Sequence, residues 1–238
     1  MEAAGGARPG WQLDELGSAG RENLDPAHVA GYDRKEDAEA ERELALLERL
    51  GMTRGSTLVE LGPGTGQLTV VVAPRCGRLV AVDVSEPMLE RLRQKLAERG
   101  IDNVEVVRAG FLTYSHQGEP ADFVYSRYAL HHLPDFWKAV ALARARSILR
   151  PGGLLRLWDI VFDFEPAEAE ERVEAWCASA DEAPPGEWSR AELEEHIRDE
   201  HSTFTWLLES MIERSGFRLE QAEYSDDGFF AKYVARAV

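Results

Sequence analysis

The chain has 238 residues, which suits one α/β domain with additions better than two complete domains. Its 43 acidic and 27 basic side chains give a formal net charge of -16, which should repel nucleic acid and anionic membrane surfaces. No apolar run approaches a membrane span of roughly 18 residues, no secretory signal is present, and Cys76 and Cys177 lack metal-ligand spacing. We therefore expect a soluble, cytoplasmic protein with reduced thiols and without a nucleic-acid, membrane or metal site.

The beginning of the chain is rich in Gly, Ala and Pro, and residues 1–31 are predicted to form a flexible N-terminal arm. A single domain over residues 32–238 is predicted to follow. Apolar residues on one helical face and acidic residues on the other predict an amphipathic helix from Lys35 to Leu50, which ends at Gly51.

The most informative stretch begins with an apolar run, residues 57–61, that predicts a short buried strand. The run ends at Gly62, Gly64 and Gly66, after which an apolar segment resumes. This strand, turn and helix start would leave backbone N–H groups open to an anionic or zwitterionic small molecule. A dinucleotide-binding turn is disfavoured because Gln67 occupies the place of its third glycine, and no Lys-Ser or Lys-Thr pair follows to make a P-loop.

The run Glu60-Leu-Gly-Pro-Gly-Thr-Gly resembles motif I of class I S-adenosylmethionine-dependent methyltransferases. Three further features resemble the same family in the expected order: Asp83 at a strand end, His-His-Leu at 131–133 and Arg-Pro-Gly-Gly at 150–153. The resemblance covers about Tyr32 to the C-terminus and is strongest to the branch that methylates small metabolites. It implies a Rossmann-like, doubly wound α/β fold with seven strands, mostly parallel with an antiparallel C-terminal strand, and S-adenosylmethionine as cofactor.

The resemblance also implies roles for individual residues. Motif I would hold the methionine end, Asp83 the ribose hydroxyls, and Met88 with Phe111 the adenine, while Arg127 would meet the methionine carboxylate. Structural roles stay open for Asp83 as a helix cap, for Met88 in the core, for Arg127 at the surface and for Tyr32 as an anchor of the arm. The predicted cofactor-binding residues are Tyr32, Glu60, Gly62, Pro63, Gly64, Gly66, Asp83, Val84, Met88, Gly110, Phe111 and Arg127.

One position departs from the family pattern. The family often carries an aspartate that accepts a hydrogen bond from the adenine amino group, whereas this chain has Gly110. We therefore expect backbone groups and stacking by Phe111 to recognise the adenine.

The segment from Ser126 to Asp135 resembles motif IV of the family and should face motif I across the crevice at the carboxyl ends of the strands. His131 and His132 are candidate catalytic residues, because a neutral imidazole can take a proton from an oxygen or nitrogen nucleophile. The alternative is that they only begin the next helix and fix the loop by hydrogen bonds.

Residues 165–203 extend beyond a minimal domain. An acidic helical pattern, a Pro-rich connector and a capping box that begins at Ser189 predict a pair of helices that form a lid over the acceptor. His196 and His201 are five residues apart, so on one helix they would point in different directions. For this reason the sequence predicts no metal site at His196, Glu200 and His201.

The predicted function is transfer of a methyl group from S-adenosylmethionine to a small-molecule acceptor. One alternative is a non-catalytic S-adenosylmethionine-binding regulator or partner subunit, because Gly110 replaces an acid and no base is unmistakable. A nicotinamide dehydrogenase is disfavoured by Gln67.

The remaining pattern predicts strands at 79–83, 104–107, 122–125 and 154–160, helices at 68–73, from 85, at 135–149 and at 204–215, and a terminal hairpin of 217–224 and 229–237.

Overall fold

The computed structural model describes residues 9–20, 23–35, 38–182 and 188–238. Strands and helices alternate along most of the chain, as in other α/β proteins. The strands are β1 (Thr57–Leu61), β2 (Arg78–Asp83), β3 (Val104–Arg108), β4 (Ala121–Arg127), β5 (Leu149–Phe162), β6 (Thr203–Phe204), β7 (Phe217–Tyr224) and β8 (Phe230–Ala237). The helices are α1 (Pro26–Lys35), α2 (Ala40–Arg49), α3 (Thr69–Val72), α4 (Glu86–Arg99), α5 (Asp135–Ile148), α6 (Ala169–Ser179), α7 (Arg190–Asp199) and α8 (Thr205–Arg214).

Seven of the strands form a continuous sheet in the order β3-β2-β1-β4-β5-β8-β7. The pairs among β1 to β5 are parallel, whereas β8 lies antiparallel between β5 and β7. This confirms the predicted Rossmann-like, doubly wound sheet with an antiparallel C-terminal strand. The short strand β6 pairs with the end of β5 and was not predicted, because two residues carry no recognisable alternation.

The central strands are buried on both faces, as parallel strands covered by helices should be. Leu58 and Val59 of β1 and Leu79 and Val80 of β2 are fully buried. Helices α2, α3 and α4 contribute to the core on one face, and α5 and α8 contribute to the core on the other. Because both faces are covered, a ligand can reach the sheet at the strand ends.

A buried ion pair joins α2 to β5. The guanidinium of Arg156 donates two hydrogen bonds, of 2.9 and 2.8 Å, to the carboxylate of Glu43. Each residue is only 3% exposed, so neither charge can be compensated by water if its partner is removed. The pair therefore fixes the position of α2 on the sheet.

The N-terminal region departs from the predicted boundaries. Lys35 ends α1, and α2 begins only at Ala40, so the predicted helix from Lys35 to Leu50 is wrong in its first part. Glu39, immediately before α2, has a left-handed conformation with φ of 46°, which interrupts the helical backbone. The predicted domain boundary at residue 31 falls inside α1, and Trp11, on the predicted arm, stacks on Trp137 with 6.2 Å between ring centroids.

Several predicted helix signals are confirmed. The Ser85 hydroxyl accepts a hydrogen bond from the Met88 N–H at the start of α4, and Ser189 and Glu192 form the predicted capping box of α7. Helices α6 and α7 form the predicted helical pair within residues 165–203, although the middle of its connector lies outside the described residues. Among the described helices, none has both the length and the apolarity needed to cross a membrane.

Candidate active site

Two adjoining cavities open at the carboxyl ends of the parallel strands, where open α/β sheets bind ligands. We call the first the glycine cleft, because it lies against the turn that follows β1. Of the predicted cofactor-binding residues, all but Gly66 line it. The lining of the glycine cleft includes Glu15, Tyr32, Glu60, Gly62, Pro63, Gly64, Asp83, Val84, Met88, Gly110, Phe111, Arg127, Tyr128 and His132.

The second cavity, which we call the lid cavity, lies between α1, the turn at 130–132 and the helices α6 and α7. Its volume is about 570 Å³, within the range of small-molecule sites. Four residues line both cavities, so the two cavities share a wall: Asn23, Tyr32, Tyr128 and His132. The lining of the lid cavity includes Tyr32, Lys35, Tyr128, His131, His132, Trp176, Trp188, Glu192, His196, Glu200 and Phe230.

The three glycines after β1 serve different purposes. All have positive φ, of 78°, 54° and 80° for Gly62, Gly64 and Gly66, a conformation that residues with a Cβ rarely adopt. A Cβ on Gly62 would collide with Ala129, and one on Gly66 would collide with Leu92. Gly62 and Gly64 line the cleft with their backbone, whereas Gly66 lies outside the lining and lets α4 approach the turn.

Asp83 lies at the carboxyl end of β2 and connects the glycine turn after β1 to the start of α4 by hydrogen bonds. Its Oδ2 accepts a hydrogen bond of 3.0 Å from the Gly64 N–H, and its Oδ1 accepts one of 2.8 Å from the Ser85 N–H. Burial raises the pKa of this carboxyl group, although the backbone N–H groups act in the opposite direction. Each carboxylate oxygen has a second lone pair, so Asp83 can accept further hydrogen bonds from a ligand.

Glu60 is a second buried carboxyl group beneath the same turn. Its Oε2 accepts a hydrogen bond of 2.6 Å from the Thr69 hydroxyl, and the residue is only 3% exposed. Burial raises the pKa of Glu60 to about 7, with a further contribution from the negative charge of Asp83. A cationic group bound beside Glu60 would favour its ionised form.

Arg127 is the last residue of β4 and lines the glycine cleft. Its guanidinium lies 4.2 Å from the ring centroid of Tyr128 and 4.4 Å from that of Trp158, which are cation–π distances. Tyr128 has a positive φ of 48°, which is unusual for a bulky residue and is often found at functional sites. The sequence carries no signal for this conformation, and Tyr128 was not among the predicted site residues.

The N-terminal arm contributes Glu15, another residue that the sequence analysis missed. Its Oε1 accepts a hydrogen bond of 2.9 Å from the Leu112 N–H, and its Oε2 accepts one of 3.1 Å from the Thr113 hydroxyl. A Cβ on Gly110 would collide with this carboxylate. The side chain of Glu15 therefore fills the space that the missing acidic side chain at Gly110 leaves, and it adds a carboxylate to a part of the cleft where only backbone groups and Phe111 were expected.

His131 and His132 belong to a buried group that we call the histidine cluster, formed by His131, His132, Asp159, His196 and Glu200. The Nδ1 of His131 lies 2.5 Å from Oδ1 of Asp159, and its Nε2 lies 3.0 Å from Oε2 of Glu200. The same Oε2 lies 2.5 Å from Nδ1 of His196. His196 and Glu200 thus converge with His131, which comes from a distant segment, so helix spacing alone could not reveal the cluster.

The two predicted catalytic histidines have opposite electrostatic surroundings. Burial disfavours the charged form of His131, but Asp159 and Glu200 outweigh this and raise its pKa to about 10. Burial and the neighbouring His131 lower the pKa of His132 to about 3, and its Nδ1 has no hydrogen-bond partner among the described residues. The surroundings therefore favour His132, rather than His131, as a neutral hydrogen-bond acceptor between the two cavities.

Helices α6 and α7 are attached to the rest of the chain by an ion pair and by aromatic contacts. Lys35 of α1 lies 2.6 Å from Oε1 of Glu192 in α7 and 5.2 Å from the ring centroid of Trp188. Trp176 of α6 stacks on Phe229 with 4.4 Å between ring centroids. The lid cavity therefore has both aromatic walls, such as Trp176 and Trp188, and charged groups, such as Lys35 and Glu192.

The glycine cleft fits S-adenosylmethionine, in which an amino-acid zwitterion is joined to a nucleoside. The open backbone at Gly62 and Gly64 suits the amino-acid end, because a side chain there would take the space of the ligand. Asp83 offers two acceptor oxygens at the spacing of adjacent ribose hydroxyls. Met88 and Phe111 provide apolar surface for a base.

Comparisons with known proteins agree with this geometry. Residues 58–153 match a family model described as a methyltransferase domain. An uncharacterized methyltransferase of Geobacillus sp. (strain WCH70) is 30% identical over 158 residues, which are 65% of this chain and 72% of that protein. The 27-O-demethylrifamycin SV methyltransferase of Amycolatopsis mediterranei (strain S699) is 28% identical over 168 residues, which are 68% of this chain and 59% of that protein.

Solved structures support the same fold. The N-methyltransferase NodS from Bradyrhizobium japonicum WM9, in complex with S-adenosyl-L-homocysteine, superposes with a TM-score of 0.62 at 19% identity, covering 94% of this chain and 99% of that one. The glycine turn, the sheet order and the related sequences lead to one assignment. The chain belongs to the class I S-adenosylmethionine-dependent methyltransferases, and S-adenosylmethionine is its cofactor.

Proposed function

We propose that this methyltransferase acts on a small-molecule acceptor bound in the lid cavity. The observation that carries the proposal is the wall shared by the two cavities, formed by Asn23, Tyr32, Tyr128 and His132. S-adenosylmethionine supplies an electrophilic methyl group on a sulfonium when it is bound. An acceptor in the lid cavity would meet that group at the shared wall, so the chain would mainly position the acceptor and exclude water.

The cofactor would lie in the glycine cleft. Gly62 and Gly64 would contact its amino-acid end, Asp83 its ribose, and Met88 and Phe111 its adenine. Glu15 would accept a hydrogen bond from the adenine amino group, because its carboxylate occupies the place left open beside Gly110.

Three more residues would act near the cofactor. Arg127, which lines the glycine cleft, would attract the carboxylate of the amino-acid end. Glu60 would favour the ammonium group through its buried carboxylate. Tyr32 would close the cleft from α1, as a residue that faces both cavities.

His132 would orient the acceptor. The residue lines both cavities, and its buried Nδ1, 3.9 Å from Oε2 of Glu200, has no hydrogen-bond partner among the described residues. This nitrogen can accept a hydrogen bond from an acceptor hydroxyl or amine. His131 would support this arrangement rather than take the proton, since Asp159 and Glu200 already hold both of its ring nitrogens.

The lid cavity suits a compact aromatic or aliphatic acceptor better than a macromolecule. Its walls include Tyr128, Trp176, Trp188 and Phe230, which provide flat apolar surface. The formal charge of -16 opposes binding of nucleic acid. The related 27-O-demethylrifamycin SV methyltransferase, by its name, acts on a small molecule, which supports a small acceptor here.

The test is to incubate the full chain with S-adenosylmethionine carrying a labelled methyl group. Separate reactions would contain pools of small phenols and amines, bulk RNA and a protein extract. We expect label in the small-molecule pool. Label in the RNA or protein alone would contradict the proposal.

A matched pair of variants tests the location of the acceptor. Trp176→Ala removes a wall of the lid cavity, whereas Trp206→Ala removes a tryptophan that is 58% exposed and lies outside both cavity linings. We expect Trp176→Ala to raise KM for the active acceptor while S-adenosylhomocysteine affinity stays unchanged. Equal KM values for the two variants would argue against the lid cavity.

A further inference from the structure

The histidine cluster contains three ligand atoms that converge on one point in the wall of the lid cavity. They are Nε2 of His131, Nδ1 of His196 and Oε2 of Glu200, and all lie within 4.8 Å of one another. Two imidazoles and one carboxylate are a common ligand set for catalytic Zn²⁺. In a tetrahedral zinc site with bonds of about 2.0–2.1 Å, neighbouring ligand atoms are separated by roughly 3.4 Å, so small side-chain shifts would complete the site.

In both His131 and His196, the ring nitrogen that does not point at this site already lies close to an oxygen atom. Nδ1 of His131 lies 2.5 Å from Asp159, and Nε2 of His196 lies 2.8 Å from the hydroxyl of Ser202. Metal-binding histidines usually have such an outer partner, which fixes the ring and leaves the remaining nitrogen for the metal. Both rings therefore have the surroundings of metal ligands.

Asp159 is a rigid outer partner. Its Oδ2 accepts hydrogen bonds of 2.9 and 3.2 Å from the N–H groups of Leu130 and His131, and its Oδ1 also accepts one of 2.9 Å from the Ile160 N–H. The residue is 1% exposed. These bonds fix the turn that carries His131, so the direction of its Nε2 is preorganised.

Glu200 lies between the two histidines. Its Oε2 lies 3.0 Å from Nε2 of His131 and 2.5 Å from Nδ1 of His196. The carboxylate oxygen and the two ring nitrogens therefore already face one another, as the ligand atoms of a single ion would. Asp159 and Glu200 together carry two negative charges, which a divalent ion held by two neutral imidazoles would balance.

We propose that His131, His196 and Glu200 bind a divalent transition-metal ion of the Zn²⁺ type. Three protein ligands leave a fourth position, as in catalytic zinc sites. All three residues line the lid cavity, so this position faces the cavity. If the acceptor binds there, as the proposed function requires, the ion would hold an acceptor oxygen or nitrogen beside His132.

Metal binding is measured directly, without an acceptor or a methyl-transfer assay. The full chain is stripped with a chelator and titrated with Zn²⁺, and Co²⁺ is used as a probe because its visible spectrum reports tetrahedral coordination. We expect one equivalent of Zn²⁺ to bind and an increase in Tm. Failure to bind Zn²⁺ or Co²⁺ by the folded chain would overturn the proposal.

Matched variants locate the ion. Glu200→Gln removes a ligand, whereas Glu194→Gln makes the same chemical change at an exposed position of α7 that lies outside both cavity linings. We expect Glu200→Gln to weaken Zn²⁺ binding at least 10-fold and Ser202→Ala to weaken it about 10- to 100-fold through the outer partner of His196, with Glu194→Gln unchanged. Equal affinity of all three variants would overturn the assignment.

The same samples are titrated with S-adenosylhomocysteine. Nucleoside binding without Zn²⁺ binding overturns the metal site and leaves the cofactor site intact. Zn²⁺ binding without nucleoside binding supports the metal site and contradicts the proposed cofactor contacts. Circular dichroism identifies any variant that fails to fold, and Ser202→Ala keeps all three ligands if Glu200→Gln is unstable.

Discussion

Glu15 provides a specific test of how the chain recognises adenine without an acidic residue at position 110. Its carboxylate is 6% exposed and accepts hydrogen bonds from Leu112 and Thr113 at the edge of the glycine cleft. We propose that the same carboxylate accepts a hydrogen bond from the adenine amino group. A hydrogen bond to a charged group contributes about 1.5–3 kcal/mol, so Glu15→Ala should weaken S-adenosylhomocysteine binding roughly 10- to 150-fold.

The assay is isothermal titration calorimetry with two ligands. S-inosylhomocysteine has an oxygen in place of the adenine amino group, so it cannot donate the hydrogen bond that Glu15 would accept. We expect the wild-type chain to prefer S-adenosylhomocysteine strongly, and the Glu15→Ala variant to lose most of this preference. Glu41→Ala, an exposed glutamate on α2, is the matched control and should bind both ligands like the wild type.

Two results would refute this reasoning. If Glu15→Ala weakened both ligands equally, Glu15 would only hold the segment after β3 in place through Leu112 and Thr113. If it weakened neither ligand, the arm would not contribute to the site. Urea unfolding of the variant separates a loss of affinity from a loss of stability.

Three further predictions concern buried carboxyl groups. Asp83→Ala should weaken S-adenosylhomocysteine binding by about 1.5–3 kcal/mol, and unchanged affinity in calorimetry would exclude the ribose role. Burial raises the pKa of Glu60 from 4.5 to about 7, so the folded chain binds the proton of this carboxyl group more tightly than the unfolded chain. The protonated carboxyl group therefore stabilises the fold fully below about pH 4.5, and this stabilisation is lost as the pH rises through 7. The free energy of unfolding should fall by roughly 3 kcal/mol over this pH range. Glu60→Gln should remove this part of the pH dependence, which is measured by urea unfolding at pH 5, 6 and 8. A variant whose free energy of unfolding changes with pH as in the wild type would contradict the prediction. Glu43→Gln should lower the free energy of unfolding by about 3–5 kcal/mol, because it leaves the Arg156 charge buried without a partner. Glu41→Gln is the exposed control. Equal urea midpoints for the two variants would refute the stabilising role of the ion pair.

Local sequence patterns predicted most of the fold. β1 was predicted at 57–61 and found there, because an apolar run that ends in glycines is a strong signal for a buried parallel strand. Ser85 and Ser189 marked the starts of α4 and α7, because a hydroxyl at the N-cap serves the same backbone N–H groups in any fold. Helix α1 was missed because its composition, PAHVAGYDRK, carries a weak amphipathic pattern.

The glycine cleft was largely predictable, because its residues follow the strands directly in the sequence. Glu15 was not, since its contact with Leu112 joins residues that are 97 positions apart. The same limit applies to the histidine cluster, in which Glu200 meets His131 only when the end of α7 packs on the turn after β4. The spacing argument placed His196 and His201 on one helix, but α7 ends at Asp199, and the argument could not reveal the partner contributed by another segment.

The central claim is that the glycine cleft binds S-adenosylmethionine, and one titration tests it most directly. S-adenosylhomocysteine is titrated into the folded full chain by calorimetry, with NADH as the control ligand and Asp83→Ala as the matched variant. The account predicts one equivalent of nucleoside bound with micromolar affinity, weaker binding by the variant and negligible binding of NADH. No binding of S-adenosylhomocysteine by the folded chain, or tight binding of NADH in its place, would contradict it.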